Sequence, residues 1–255
     1  MLEHPGGHMS KPDTYIRNRA KPTEKMAKYL VTHQGFPKYI EELFRSLRTK
    51  VLLSLYDQTP RSIAITSLES GVGKTTVSAN LALTLAMRDV RVLLVDGDLR
   101  RGELSTSLGL PKVPGLAEFL MSTEPVNVQS VGSLLQDGPT ERLGVIAAGE
   151  HTPHSSELLS LPRFRAALEL LSSRFDVIVF DLPPIGMAVD PVVISDVVSR
   201  YLLVAKAGGT NIADLTKKVS EYPTVSERTL GIVLNRAAVD RRLRYYKYSK
   251  YYSHR

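Results

Sequence analysis

The stretch that most constrains this chain is SIAITSLESGVGKTTVSANLALTLAMR, residues 62–88. A β-rich apolar run (62–66) leads into Gly71-Val72-Gly73-Lys74-Thr75-Thr76, and an Ala- and Leu-rich helical segment (74–88) carries on from there. Glycines between a strand and a helix let backbone N–H groups turn inward at a helix N-terminus, where unpaired amides and the helix dipole attract negative charge. With a lysine and hydroxyls at the helix start, this strand–turn–helix reads as a cradle for nucleotide phosphates, a P-loop. Lys74 is expected to reach the β- and γ-phosphates of ATP, and the Thr75 hydroxyl to sit on Mg²⁺. Leu68 stands where the first glycine of the pattern G-x-x-x-x-G-K-[ST] would fall.

The rest of the chain repeats the same alternation. Short apolar runs at 62–66, 91–96, 143–148, 176–181, 201–205 and 230–235 are separated by amphipathic segments such as 74–88, 162–173 and 211–220. Runs buried on both faces and alternating with helices predict an α/β fold: a doubly wound, mostly parallel sheet flanked by helices, like that of P-loop NTPases. A further helix is expected over 38–55, where Ile40, Leu43, Phe44, Leu47 and Val51 recur at helical spacing as one apolar stripe.

Three acids end strand-like runs. VLLVDGDLRR closes in Asp96 and Asp98, and VIVFDLPP closes in Asp181. Open α/β sheets bind ligands beyond the carboxyl ends of their strands, where all three carboxylates would fall. Mg²⁺ takes oxygen ligands, usually one or two carboxylates with phosphate and water. Asp96 and Asp181 are therefore expected as direct or water-mediated Mg²⁺ partners, and Asp98 as the group that orients an attacking hydroxyl. A single acid at a strand end would cap a loop; three beside a P-loop are a site.

The net charge of +7 is concentrated at the ends. Residues 1–50 carry ten Lys/Arg against five acids and residues 236–255 seven against one, leaving a slightly acidic body. Basic arms suit anionic surfaces or acidic partners. The opening MLEHPGGHM (1–9) reads as an expression scar, residues 10–37, broken by three prolines, as a flexible N-terminal arm, and 38–235 as the globular domain. The apolar runs are strand-sized, far short of the roughly 20 residues that cross a bilayer. The absence of cysteine rules out a disulfide framework and suits a reducing cytosol.

The ordered set of P-loop, LLVDGDLR and VIVFDLPP resembles the bacterial tyrosine kinases (BY-kinases), with their Walker A, A′ and B motifs, over about residues 28–255. Partition and division-site ATPases share the fold but carry a signature lysine near the start of the P-loop, where this chain has Glu69. The resemblance implies an ATP- and Mg²⁺-dependent protein-tyrosine autokinase. Lys74, Thr75, Asp96 and Asp181 match the nucleotide and metal positions, Asp98 the acid that helps deprotonate tyrosine, and Asn235 the adenine contact. Glu42-x-x-Arg45-x-x-Arg48 is similar to the family's oligomerisation motif. Spacing alone would make it a solvated face with one i,i+3 ion pair worth about 0.2–0.5 kcal/mol. The basic tail 236–255 holds Tyr245, Tyr246, Tyr248, Tyr251 and Tyr252, where the family autophosphorylates.

By the same resemblance the chain works at the inner face of the cell membrane in capsular or exopolysaccharide synthesis and export. The partners implied are copies of itself in a ring, an octamer, a transmembrane polysaccharide co-polymerase adaptor and a counteracting tyrosine phosphatase. No nucleic acid is expected. Two other readings stay open on composition: a partition-type ATPase whose tail binds DNA through basic and stacking residues, and a module held to anionic lipid by its arms.

Overall fold

The computed structural model describes residues 19–238. Seven strands form one sheet: β1 (Ser62–Ser67), β2 (Val92–Asp96), β3 (Leu135–Asp137), β4 (Leu143–Ile146), β5 (Val177–Asp181), β6 (Arg200–Lys206) and β7 (Thr229–Asn235). Their spatial order is β3-β4-β2-β5-β1-β6-β7, parallel throughout except for β3, which runs antiparallel to β4 at one edge. The chain passes from β1 to β2, β3 and β4, returns with β5 into the gap between β2 and β1, and continues with β6 and β7 on the other side of β1, with helices α1 (Glu24–Ala27), α2 (Lys38–Ser54), α3 (Lys74–Ala86), α4 (Glu103–Ser107), α5 (Leu116–Met121), α6 (Val128–Gly132), α7 (Ser155–Leu159), α8 (Pro162–Ser172), α9 (Asp190–Val193), α10 (Ile212–Ser220) and α11 (Pro223–Glu227) flanking the sheet. The doubly wound α/β architecture expected from the alternation is present.

The core divides into two layers, one on each sheet face. Ile63, Ile65, Leu94, Val177 and Val179 pack toward one layer with α2 and α3, while Ala64, Leu93, Val95, Ile178 and Phe180 pack toward the other with α5 and α8. Alternate residues of each central strand serve opposite layers, so β1, β2 and β5 are buried along their whole length. Uninterrupted apolar runs follow from that requirement.

α3 lies between the sheet and α2 and is buried on nearly all sides, from Val77 to Ala86. Its polar residues are satisfied internally or by the site: the Thr84 hydroxyl donates to Asn80 O at 2.8 Å, and Ser78 Oγ to Lys74 O at 3.0 Å. Asn80 reaches out instead. Its Oδ1 accepts from Val31 N at 2.7 Å and its Nδ2 donates to Tyr29 O at 2.8 Å. That clamp explains a difference from the expected loose arm: of residues 10–37, the described part is seated on the body, with Ala20, Met26, Leu30 and Val31 buried. Prolines and charges marked the arm as polar; the four apolar anchors between them decide its packing.

α2 agrees with its expected span, but its stripe is narrower. Phe44, Leu47, Val51 and Leu55 pack against the layer that holds α3, whereas Leu43 is 62% exposed. At about 100° per residue Leu43 sits roughly 80° from the centre of the buried face, enough to leave it in solvent. β3 was not legible in the sequence: three residues with no alternation to read, held at the sheet edge by its pairing to β4.

Candidate active site

β1 delivers the chain into the loop 68–73 and α3 begins at Lys74. Gly71 and Gly73 take left-handed backbone angles, φ 76° and 97°, and a Cβ on Gly73 would collide with the side-chain amide of Asn235. Only glycine meets both demands at 73. Leu68 has no positive φ, so its place in the pattern needs no glycine. The close approach is made instead by Gly186, whose missing Cβ lets the turn after β5 cross the Leu68 carbonyl. That turn is clipped to the end of β1 by Ile185 N donating to Ser67 O (2.8 Å) and Thr66 Oγ donating to Pro183 O (2.7 Å).

Asp96 and Asp181 are direct register partners on the adjacent strands β2 and β5. Both are buried, and their environments raise both pKa values. Burial, then the neighbouring Asp181, pushes Asp96 up to about 7 against two hydrogen bonds from Ser105. Burial pushes Asp181 up to about 6, opposed by Lys74 and by the hydroxyls of Thr75 and Ser78. Ser105 donates to Asp96 Oδ2 from its backbone N (2.9 Å) and its hydroxyl (2.6 Å), and Ser78 Oγ donates to Asp181 Oδ1 at 2.9 Å. Asp96 Oδ1 is buried without a hydrogen-bond partner among the described residues. Two crowded carboxylates, one oxygen left bare and a threonine hydroxyl alongside are the oxygen donors a hard divalent cation takes, so these residues fit Mg²⁺.

Asp98 lies two residues beyond Asp96 on the turn after β2, half-buried. Its pKa is raised by burial, with Lys74 the largest opposing influence. Asp96, Asp98 and Asp181 therefore lie at the carboxyl ends of β2 and β5, as expected from their strand-end positions, and meet Lys74 and Thr75 at the start of α3. Thr76 comes next on the first turn of α3.

Other expected residues fall elsewhere. Asn235, at the end of β7, lies on the shoulder of the P-loop, with Nδ2 donating to Val72 O at 2.8 Å. Glu42, Arg45 and Arg48 are on α2. Arg45 pairs with Glu41 and lies 3.6 Å from Glu42, a solvated cluster. Arg48 does not lie on a merely solvated face, as spacing alone would have it: its Nη1 donates to Thr84 O at 3.1 Å, tying α2 to the last turns of α3. The five tail tyrosines, Tyr245, Tyr246, Tyr248, Tyr251 and Tyr252, lie outside the described residues.

The structure adds residues the sequence did not single out. Ser78 could have been found, since it sits one helical turn from Lys74 on the same face. Ser105 had no such signal, because α4 reaches Asp96 only through the fold. Glu69 is bonded by the Thr210 hydroxyl, while Ser67 Oγ donates to Glu69 O at 2.6 Å. The residue at the place of the partition ATPases' signature lysine is thus anchored to the loop after β6.

Residues 60–221 match the family described as an AAA domain. A strand-capped P-loop, a buried acid pair in register beside it and that match together define a P-loop nucleotide-binding protein. The relatives narrow the class. Identity is 35% with the tyrosine-protein kinase CpsD of Streptococcus pneumoniae serotype 4, over 79% of this chain and 86% of that one. With CapB of Staphylococcus aureus it is 30%, over 86% and 94%. The kinase domain of the Escherichia coli tyrosine kinase ETK superposes with a TM-score of 0.70 at 28% identity, covering 78% of each chain. The chain belongs to the bacterial tyrosine kinases. Among the described residues, no helix is long and apolar enough to cross a membrane.

Proposed function

We propose that this kinase is an autokinase acting on its own C-terminal tyrosines, Tyr245, Tyr246, Tyr248, Tyr251 and Tyr252, between subunits of a ring. The observation that carries the reading is the position of Asp98: a half-buried carboxylate on the turn beside the buried acid pair, its Oδ1 accepting from Arg101 N at 3.2 Å and its pKa raised by burial. A tyrosine hydroxyl has a pKa near 10 and needs a base to become a nucleophile at neutral pH.

Thr75, Asp96 and Asp181 would hold Mg²⁺, which when bound neutralises charge on the phosphate oxygens of ATP. The amides of residues 71–76 and the Lys74 ammonium bind the phosphates, and Asn235, at the P-loop shoulder, borders the adenine. In the transfer, the phenolic oxygen forms a bond to the γ-phosphorus while the bond from that phosphorus to the β–γ bridging oxygen breaks. ADP leaves with the electron pair, and the phenolic proton passes to Asp98. Such transfers depend mainly on positioning and electrostatics.

The tail suits the acceptor role by reach and charge. Residues 236–255 extend to about 66 Å at most, enough to enter a neighbouring subunit. Each phosphotyrosine adds about −1.5 to −2 charges, so five reverse a tail whose net charge is +6. The unmodified tail is drawn to an acid-lined, ATP-loaded site and the modified tail is repelled, so phosphorylation releases subunits that Glu42, Arg45 and Arg48 help assemble. The proposed setting is capsular or exopolysaccharide synthesis and export at the inner face of the membrane, with a co-polymerase adaptor and an opposing phosphatase.

The test is mass spectrometry of the C-terminal peptide after incubation with Mg-ATP. Wild type is expected to carry several phosphotyrosines and Lys74→Met almost none. An unmodified wild-type tail, with salt-sensitive DNA binding instead, would move the chain to the partition-type ATPases.

A further inference from the structure

Asp190, the first residue of α9, is fully buried, and neither of its carboxylate oxygens has a hydrogen-bond partner among the described residues. Arg100 approaches it, with Nε 3.8 Å from Asp190 Oδ2, and that Nε is likewise buried and unpartnered. A carboxyl group taken out of water with no hydrogen bond is costly unless paired. The distance is too long for a hydrogen bond, so the two groups answer each other as an ion pair.

Their places in the chain give the pair a task. Arg100 lies at the tip of the turn that carries Asp98, a turn closed by Arg101 N and Gly102 N donating to Asp98 O at 3.1 and 2.7 Å. Asp190 ends the segment after β5 that is clipped at Pro183 and Ile185 to the end of β1, where the P-loop starts. The bases of the two loops are joined by Gly97 N donating to Asp181 O at 2.9 Å. Arg100 and Asp190 join their far ends. Asp98 stands between the two fastenings, so its reach toward the P-loop depends on both.

We propose that Asp190 and Arg100 are positioning residues for phosphoryl transfer: the pair of a fully buried carboxylate and a guanidinium still 39% exposed ties the Asp98 turn to the segment fixed on the P-loop and so sets where the base meets the acceptor hydroxyl. This rests on the kinase reading of Asp98. A pair that acts by position changes the chemical step and leaves nucleotide binding alone, and its two members act as one unit.

The experiment is a double-mutant cycle on the full chain with Asp190→Asn, Arg100→Gln and the double variant, following phosphotyrosine and ADP formation at varied ATP. Each single change is expected to lower kcat about 10-fold or more with KM for ATP within about twofold, since small misplacements of a reacting group cost that much. The double variant should be no slower than the slower single, because the second change removes an interaction already lost. Independent, multiplying losses, an unchanged kcat, or a raised KM at unchanged kcat would overturn the proposal. Arg100→Lys guards against a variant that does not fold: it keeps the charge and should retain more of kcat than Arg100→Gln, and equal rates for the two would also overturn it. Wild-type protein that releases ADP without forming phosphotyrosine would overturn the kinase reading instead, and the cycle is then judged on ADP formation by the same criteria.

Discussion

The nucleotide site and the outer face of α2 are both built from charged residues at fixed spacing, and the fold treats them in opposite ways. At the site, Asp96 and Asp181 are pressed together out of water, each held by serine hydroxyls and each with a raised pKa. On α2, Glu42 and Arg45 keep 63% and 50% of their side-chain surface exposed and 3.6 Å between their charges. A solvated pair of that kind contributes about 0–1 kcal/mol. The difference separates two uses of charge. Carboxylates confined by burial are stressed until something cationic joins them, whereas exposed charges cost the isolated subunit nothing and are available to another molecule.

The greatest loss of activity is expected from changes at the acid pair. Asp96→Asn should lower phosphotyrosine formation by about 100-fold or more, as removal of preorganised charge at a reacting centre commonly does. The same substitution should change how stability depends on pH. A carboxyl whose pKa rises from 3.8 to about 7 on folding is protonated more readily in the folded chain. In metal-free protein its contribution therefore falls as pH climbs from about 4 to 7, and levels off above that. Asp181, raised to about 6, works in the same direction over a shorter window. Thermal melts without metal between pH 5 and 8 should show Asp96→Asn gaining on wild type as pH rises. A difference that stays constant across that range would mean the pair is not stressed.

The smaller effect is on α2, and it sharpens the contrast within one motif. Arg48→Ala removes a hydrogen bond onto α3 and should cost about 1 kcal/mol of subunit stability. Arg45→Ala should cost less than about 0.5 kcal/mol, because the Arg45 side chain is itself half exposed and its ion pairs are screened by water. Urea unfolding of the monomer checks both. If Arg45 proved as costly as Arg48, its side chain would be structural, and sedimentation changes in that variant could not be assigned to subunit contact.

Legibility in the sequence divides along the same line. Asp96 and Asp181 could be read because each closes an apolar run, and a strand buried on both faces must leave its last polar side chain at the sheet's carboxyl edge. Six of the seven strands and the helix after the P-loop were readable for the same reason. β3 was not, since three edge residues carry no period. Ser105 and Asp190 were hidden because their roles exist only after β2 and β5 are placed side by side: a serine in a short helix and an aspartate before a proline look like ordinary loop residues. The anchoring of residues 20–31 was masked by its prolines and lysines, with Asn80 as the unseen clamp.

In the proposed mechanism, phosphate bound in this cradle is handed to tyrosine, with Asp98 taking the phenolic proton. This transfer is tested most directly by supplying γ-labelled ATP and Mg²⁺ to the purified full chain and dividing the label between phosphotyrosine and free phosphate. Most label should enter the tail, and Asp98→Asn, which leaves the acid pair intact, should remove the tail label while nucleotide still binds. Label appearing as free phosphate with an unmodified tail would contradict it.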